Sequence, residues 1–112
     1  MQEPGGLTVT FFNAAFSSSQ SINPSYGYFW WLNGKSVYMV PGGQTVYQGP
    51  LVQNAPADMY SAMWAEDQRI YVVPGNKMVV IRMGKVSDPG NPSFALSGFD
   101  NELWQKINAV IN

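Results

Sequence analysis

Two residue types are missing altogether from this 112-residue chain, cysteine and histidine. Without cysteine no disulfide can form, and with neither residue a zinc site of the Cys/His type is excluded. A Ser-His-Asp or Cys-His relay lacks its base. Charge is also scarce. Six basic and seven acidic residues leave a net charge of −1, with no basic cluster to attract nucleic acid. No apolar run is long enough to span a membrane. The opening MQEPGG has neither a basic nor an apolar region, so no signal peptide is expected there.

What is present is apolar and aromatic. Nearly half the residues are hydrophobic, with 4 Trp, 6 Tyr and 6 Phe. The length suits one small domain, taken as 1–112. Residues 7–25 read as a short helix over LTVTFFNAAF followed by a polar connector, SSSQSINPS. Residues 26–84 read as antiparallel strands. Asn33-Gly34 is a tight-turn signal, predicting that Tyr26 to Leu32 pairs with Ser36 to Val40. Gly42 to Pro56 reads as loop. Three strands follow, near Met59 to Trp64, Gln68 to Val73 and Lys77 to Met83, the last two joined at Pro74-Gly75-Asn76.

KVSDPGNPSFALSG reads as a second loop, and 98–112 as a C-terminal helix. There Leu103, Trp104, Ile107, Val110 and Ile111 recur at helical spacing as one apolar stripe, with Asp100 as the expected N-cap. The predicted fold class is α+β, an antiparallel sheet with the C-terminal helix packed on one face.

Three local patterns carry possible chemistry. Gly34-Lys35-Ser36 resembles the end of a phosphate loop, but Phe29 stands where that loop needs glycine. Glu66 and Asp67 are adjacent, so in a strand they face opposite sides and do not form a glycosidase pair. Together with Asp58 they read as a solvated bend rather than a metal site. The aromatic run Tyr26 to Trp31 reads as core and sheet face, with Tyr26, Tyr28, Trp30 and Leu32 on one side and Phe29 and Trp31 on the other. The alternative is a non-catalytic binding or structural module that uses these aromatic faces as an interface.

SYGYFWWLNG, GPLVQNAPADMYSAM, DQRIYVVPGNKMVVIRMG and FDNELWQKINAVI occur in this order. Together they resemble the C-terminal end of the serine β-lactamase-like hydrolases, a group of class C β-lactamases, family VIII esterases, DD-peptidases and aminohexanoate-oligomer hydrolases. The resemblance runs from Phe11 to the end and covers about the last third of such a protein. It implies the partial sheet layer of a β-lactamase/transpeptidase-like fold. It also implies acyl transfer to a serine carried in a Ser-x-x-Lys motif, followed by Tyr-x-Asn or Tyr-x-Ser.

No serine of this chain has lysine three places on, and no tyrosine begins either triplet, so no catalytic residue is expected here. A third motif lines the site in such proteins, and a backbone N–H of its strand completes the oxyanion hole. By the resemblance it falls at Trp64, Ala65, Glu66, Asp67 and Gln68. Trp64 replaces a small residue, and Glu66 and Asp67 replace glycines. The resemblance calls for no cofactor and no metal. It implies an exported parent, periplasmic or secreted, and a chain that is inert alone. The expected partner is the missing N-terminal part or a second copy joined through the Lys77 to Met83 edge.

Overall fold

The computed structural model describes residues 18, 23–27, 30–41, 43–90 and 96–111. The short helix expected over residues 7–16 lies outside them, as do Tyr28 and Phe29. The observed architecture is α+β. Strands β1 (Trp31–Leu32), β4 (Tyr60–Met63), β5 (Arg69–Val73) and β6 (Met78–Arg82) form one antiparallel sheet in the order β1-β4-β5-β6. Strands β2 (Val37–Tyr38) and β3 (Tyr47–Gln48) pair separately, and helix α1 (Gly98–Ile111) closes the chain.

The β4-β5-β6 meander lies where β-branched and aromatic residues alternate between two polar bends. Residues directly opposite in an antiparallel pair share a face. The registers Ser61↔Tyr71, Met63↔Arg69, Tyr71↔Val80 and Val73↔Met78 therefore put these side chains on one side. That side meets the helix: the Tyr71 and Trp104 rings pack edge to face at 5.6 Å. The core is Leu51, Val52, Met59, Met63, Tyr71, Val73 and Trp104. The opposite, outer side carries Tyr60, Ala62, Ile70, Val72, Val79 and Ile81. Continuing the alternation, it also carries Trp64 and Met83.

Three sequence expectations are corrected. First, Asn33-Gly34 does not make a hairpin. β1 pairs with β4, while β2 pairs with β3 inside the segment read as loop. The reason is the Asn33 side chain, which is buried and turned away from a hairpin. Its amide donates to the carbonyls of Val52 (3.0 Å), Ala55 (3.2 Å) and Pro56 (3.0 Å), and its oxygen accepts from the Val52 N–H at 2.8 Å. All the asparagine's bonding is thus spent on holding one turn of chain against the sheet. Gly34 lies at φ +74, and a Cβ there would stand 2.3 Å from the Ala57 carbonyl oxygen, so only glycine fits.

Second, the helical stripe is shorter than its periodicity suggests. Trp104 is buried and Leu103 and Ile107 pack on the core, but Val110 is 84% exposed and Ile111 is also exposed. Asn108, one turn beyond Trp104, takes the docking side instead and donates to the Asn54 carbonyl at 2.6 Å. Asn101 anchors the same loop, accepting from the Asn54 N–H at 2.8 Å. Third, Asp100 is not the N-cap. It sits in the first turn, and its carboxylate reaches back to the Ser97 N–H at 3.0 Å, the return half of a capping box.

The aromatic run divides in space. Trp30 meets Tyr60 edge-on at 5.4 Å, and Trp31 lies on the helix side. Tyr26 leaves the alternation: it forms an isolated antiparallel bridge with Trp31, and the two rings lie 5.0 Å apart.

Candidate functional site

The bend between β4 and β5 is the segment Trp64 to Gln68. Its backbone closes on itself, the Trp64 N–H donating to the Gln68 carbonyl at 3.1 Å. Ala65–Asp67 form a 3-10 turn in which Glu66 and Asp67 both have φ 59. This left-handed region costs a side chain about 1 kcal/mol and is glycine's ordinary place. Two other segments hold the turn in that shape. The Gln68 amide bonds both ways with Gly84, donating to its carbonyl at 2.5 Å and accepting from its N–H at 3.0 Å. Arg82 donates to the carbonyls of Glu66 (3.1 Å) and Asp67 (3.2 Å).

The five residues read from the sequence as one wall stay together but divide by environment. Trp64, Ala65 and Glu66 are exposed, Gln68 is half-buried and Asp67 is only 1% exposed. The reading of a solvated bend therefore holds for Glu66 and fails for Asp67. One Asp67 oxygen accepts from the Ser87 N–H (2.8 Å) and hydroxyl (2.5 Å). The other accepts from the Ser97 hydroxyl (2.9 Å) and Arg69 (3.3 Å).

Arg69 is the centre of this network and is fully buried. It grips Asp100 with two nitrogens, Nε at 2.6 Å and Nη2 at 3.1 Å, and its Nη1 donates to the Trp64 and Gln68 carbonyls at 2.9 and 3.0 Å. The Tyr71 hydroxyl donates to Asp100 at 2.5 Å. One cation, two carboxylates and three hydroxyls thus bind the bend, the loop at Ser87 and the start of α1 together. Reading the sequence missed Arg69, Tyr71, Ser87, Ser97 and Asp100 as a unit. The available signal was Arg69 at an inward position of an otherwise apolar strand, because a buried cation demands anions.

The charge state of each group follows from its contacts. Burial pushes the Asp67 carboxyl up, but the bonds from Ser87 and Ser97 and the charge of Arg69 outweigh it and hold the group below the usual carboxylate range. Burial, with the adjacent Asp100 charge, pushes the Tyr71 hydroxyl far above its ordinary value. Burial lowers the Arg69 guanidinium, and the bond and charge of Asp100 more than reverse it. None of these three groups is poised near neutrality, where general acid–base catalysis needs it. Among the described residues no group of three His, Cys, Asp or Glu side chains could hold a metal ion, so Asp58, Glu66 and Asp67 do not assemble as one. The Asp58 carboxylate instead accepts from the Gly75 N–H at 2.7 Å. No helix among the described residues is long and apolar enough to cross a membrane.

A separate cleft of about 540 Å³ opens beside the start of α1, lined in part by Tyr38, Tyr47, Gln48, Gln53 and Asn101. The rings of Tyr38 and Tyr47 stack at 5.1 Å. Comparison with family models, with curated proteins and with solved structures returns no match to this chain.

Proposed function

We propose that this chain is the C-terminal part of a β-lactamase-like serine hydrolase and that it forms one wall of an acyl-transfer site. The observation that carries the reading is the backbone of Glu66 and Asp67. Both hold the left-handed conformation that glycine adopts freely, at the two positions where the resembled hydrolases have glycine. The same pair of conformations makes the two-residue type I′ turn of the β4-β5 hairpin, closed by the Gln68 N–H on the Ala65 carbonyl at 3.4 Å. A second support is the outer sheet face, where Trp64, Val79, Ile81 and Met83 stand exposed beside the bend. An apolar face of this kind suits a covering layer supplied by the rest of such a protein.

In that protein a serine attacks the carbonyl of an ester, amide or lactam, and backbone N–H groups stabilise the oxyanion. Water then releases the acyl group. This chain contributes the rigid bend, clamped from behind by Arg69, Arg82 and Gln68, and no nucleophile. Trp64 presents an exposed indole on the same side, which favours acyl groups with an apolar or aromatic surface.

The test is to read the frame preceding codon 1 and to co-express its product with this chain. Alone, the chain turns over neither a chromogenic ester nor a chromogenic cephalosporin. With an upstream product carrying Ser-x-x-Lys and Tyr-x-Asn, hydrolysis appears. An upstream frame without those motifs overturns the reading, as does a fluorophosphonate adduct on a serine of the isolated chain.

A second reading is a non-catalytic binding module, favoured by the cleft with the stacked Tyr38 and Tyr47. Its lining includes amides and aromatic rings, a set suited to a neutral ligand. Under that reading Tyr47→Ala abolishes ligand-induced stabilisation, whereas loss of Ser-x-x-Lys upstream changes nothing.

A further inference from the structure

We infer that β6 joins two copies of this chain into a dimer with one continuous eight-stranded sheet. Among the described residues β6 is an edge, bonded only to β5. Natural sheets blunt such edges with proline, bulges, inward-pointing charges or a guarding lysine. β6 lacks the first two devices. It contains no proline, and its five consecutive pairs with β5, from Val73↔Met78 to Arg69↔Arg82, leave no room for a bulge.

The third device, an inward-pointing charge, is present at one end of the strand only, and its hydrogen bonds are already made within the chain. Arg82 is turned inward, with its guanidinium bonded to the carbonyls of Glu66, Asp67 and Lys85 and lying 5.1 Å from the Phe99 ring centroid. Lys77 stands outside the strand, in the left-handed residue that ends the preceding turn. The exposed side chains are instead apolar: Val79 at 57%, Ile81 at 63% and, just beyond the strand, Met83 at 76%.

A second copy is the occupant that this sequence fits. Two identical edges related by a two-fold axis run antiparallel and share one surface orientation, so opposite residues have the same parity. With the axis at Val80, Val80 meets its own mate and Val79 faces the other copy's Ile81, a β-branched pair of the kind that stabilises sheets. Met78 then faces Arg82, and Lys77 faces Met83. No like charges stand directly opposite, and the strand's row of apolar side chains continues unbroken across the axis. The contact is isologous and uses β6 of both copies, so through this edge the assembly closes at two. A contact of one short strand is small beside a standard interface, so the dimer is a weak one that forms with rising concentration. This assembly needs no other chain, and its test is made on this chain alone.

The experiment is light scattering on the purified chain, from low to hundreds of micromolar. Two double variants are compared, Val79→Lys with Ile81→Lys, and Val79→Glu with Ile81→Glu. Because Val79 faces Ile81 across the axis, each variant opposes like charges twice. Both positions are exposed, so at the lowest concentration, where the wild type is monomeric, the variants keep its circular dichroism and unfold cooperatively. The wild type is expected to dimerise with concentration, and each variant alone to remain monomeric, its dissociation constant raised at least tenfold. An equimolar mixture of the two is expected to recover the dimer, now with opposite charges paired. A wild type that stays monomeric throughout overturns the proposal. So do variants that dimerise as the wild type does, and a mixture that stays monomeric although each variant is folded.

Discussion

Replacing Asp67 with asparagine keeps the size of a buried side chain and removes its charge. The left-handed backbone does not complicate the comparison, since asparagine tolerates that region as well as aspartate does. The new amide has two orientations. Pointed at Ser87 it would oppose a fixed N–H that lies 2.8 Å from the carboxylate. Pointed at Ser97 and Arg69 it meets a hydroxyl that can rotate to accept and a guanidinium that cannot. The second orientation is the cheaper. It loses one charge-assisted bond and weakens three others. A bond to a charged group contributes about 1.5–3 kcal/mol. Orphaning a buried ion costs about 3–5 kcal/mol, but Arg69 keeps its two-nitrogen grip on Asp100, so that full amount does not apply.

Asp67→Asn should therefore destabilise by about 2–3 kcal/mol, lowering the melting midpoint by roughly 8–12 °C for a domain of this size. Glu66→Gln, one residue away and exposed, should stay within about 0.5 kcal/mol. Urea unfolding followed by far-ultraviolet circular dichroism measures both.

The pH dependence gives a second check. The folded Asp67 carboxyl lies below its unfolded value, so its contribution is complete above that unfolded value. It is lost as pH falls through the depressed folded value. The gap between wild type and Asp67→Asn should thus be full at pH 7 and close below about pH 4. Equal stabilities of wild type and Asp67→Asn at pH 7 would refute the account of the network.

Trp104→Ala empties the centre of the core and should cost about 3–5 kcal/mol, whereas Val110→Ala on the same helix should change the urea midpoint negligibly. Asn33→Asp sets a carboxylate against the carbonyls of Val52, Ala55 and Pro56, and a loss of at least about 3 kcal/mol is expected in the same assay. Glu66→Gly relieves the left-handed backbone, and its melting midpoint should match or exceed that of the wild type, by up to about 1 kcal/mol in stability.

The meander and the C-terminal helix were legible because their signals are local. Alternating β-branched residues place β4, β5 and β6 to within about two residues, and the spacing of Leu103, Trp104 and Ile107 places the docking face of α1. Asn33 shows where such reading stops. As half of an Asn-Gly pair it signals a hairpin, yet three carbonyls some twenty residues away claim its side chain. Asp67 shows the same at the candidate site. Beside Glu66 it reads as solvent-facing, and only the arrival of Ser87, Ser97 and Arg69 makes it internal. Local pattern reports periodicity and turn chemistry, whereas a side chain's distant partners follow from topology.

The network described at Arg69 also has a consequence for the order of events during synthesis. Its donors and acceptors lie at positions 64–71, 87 and 97–100, so the bend cannot reach its final shape until residue 100 has left the ribosome. The β5-β6 hairpin needs only neighbouring residues and can form earlier. A nascent chain arrested before Ser97 would hold a protected hairpin beside a bend still exchanging its amides freely. Arrival of Ser97 and Asp100 at the start of α1 would then close the bend, so residues translated about thirty positions later set the geometry of Glu66 and Asp67.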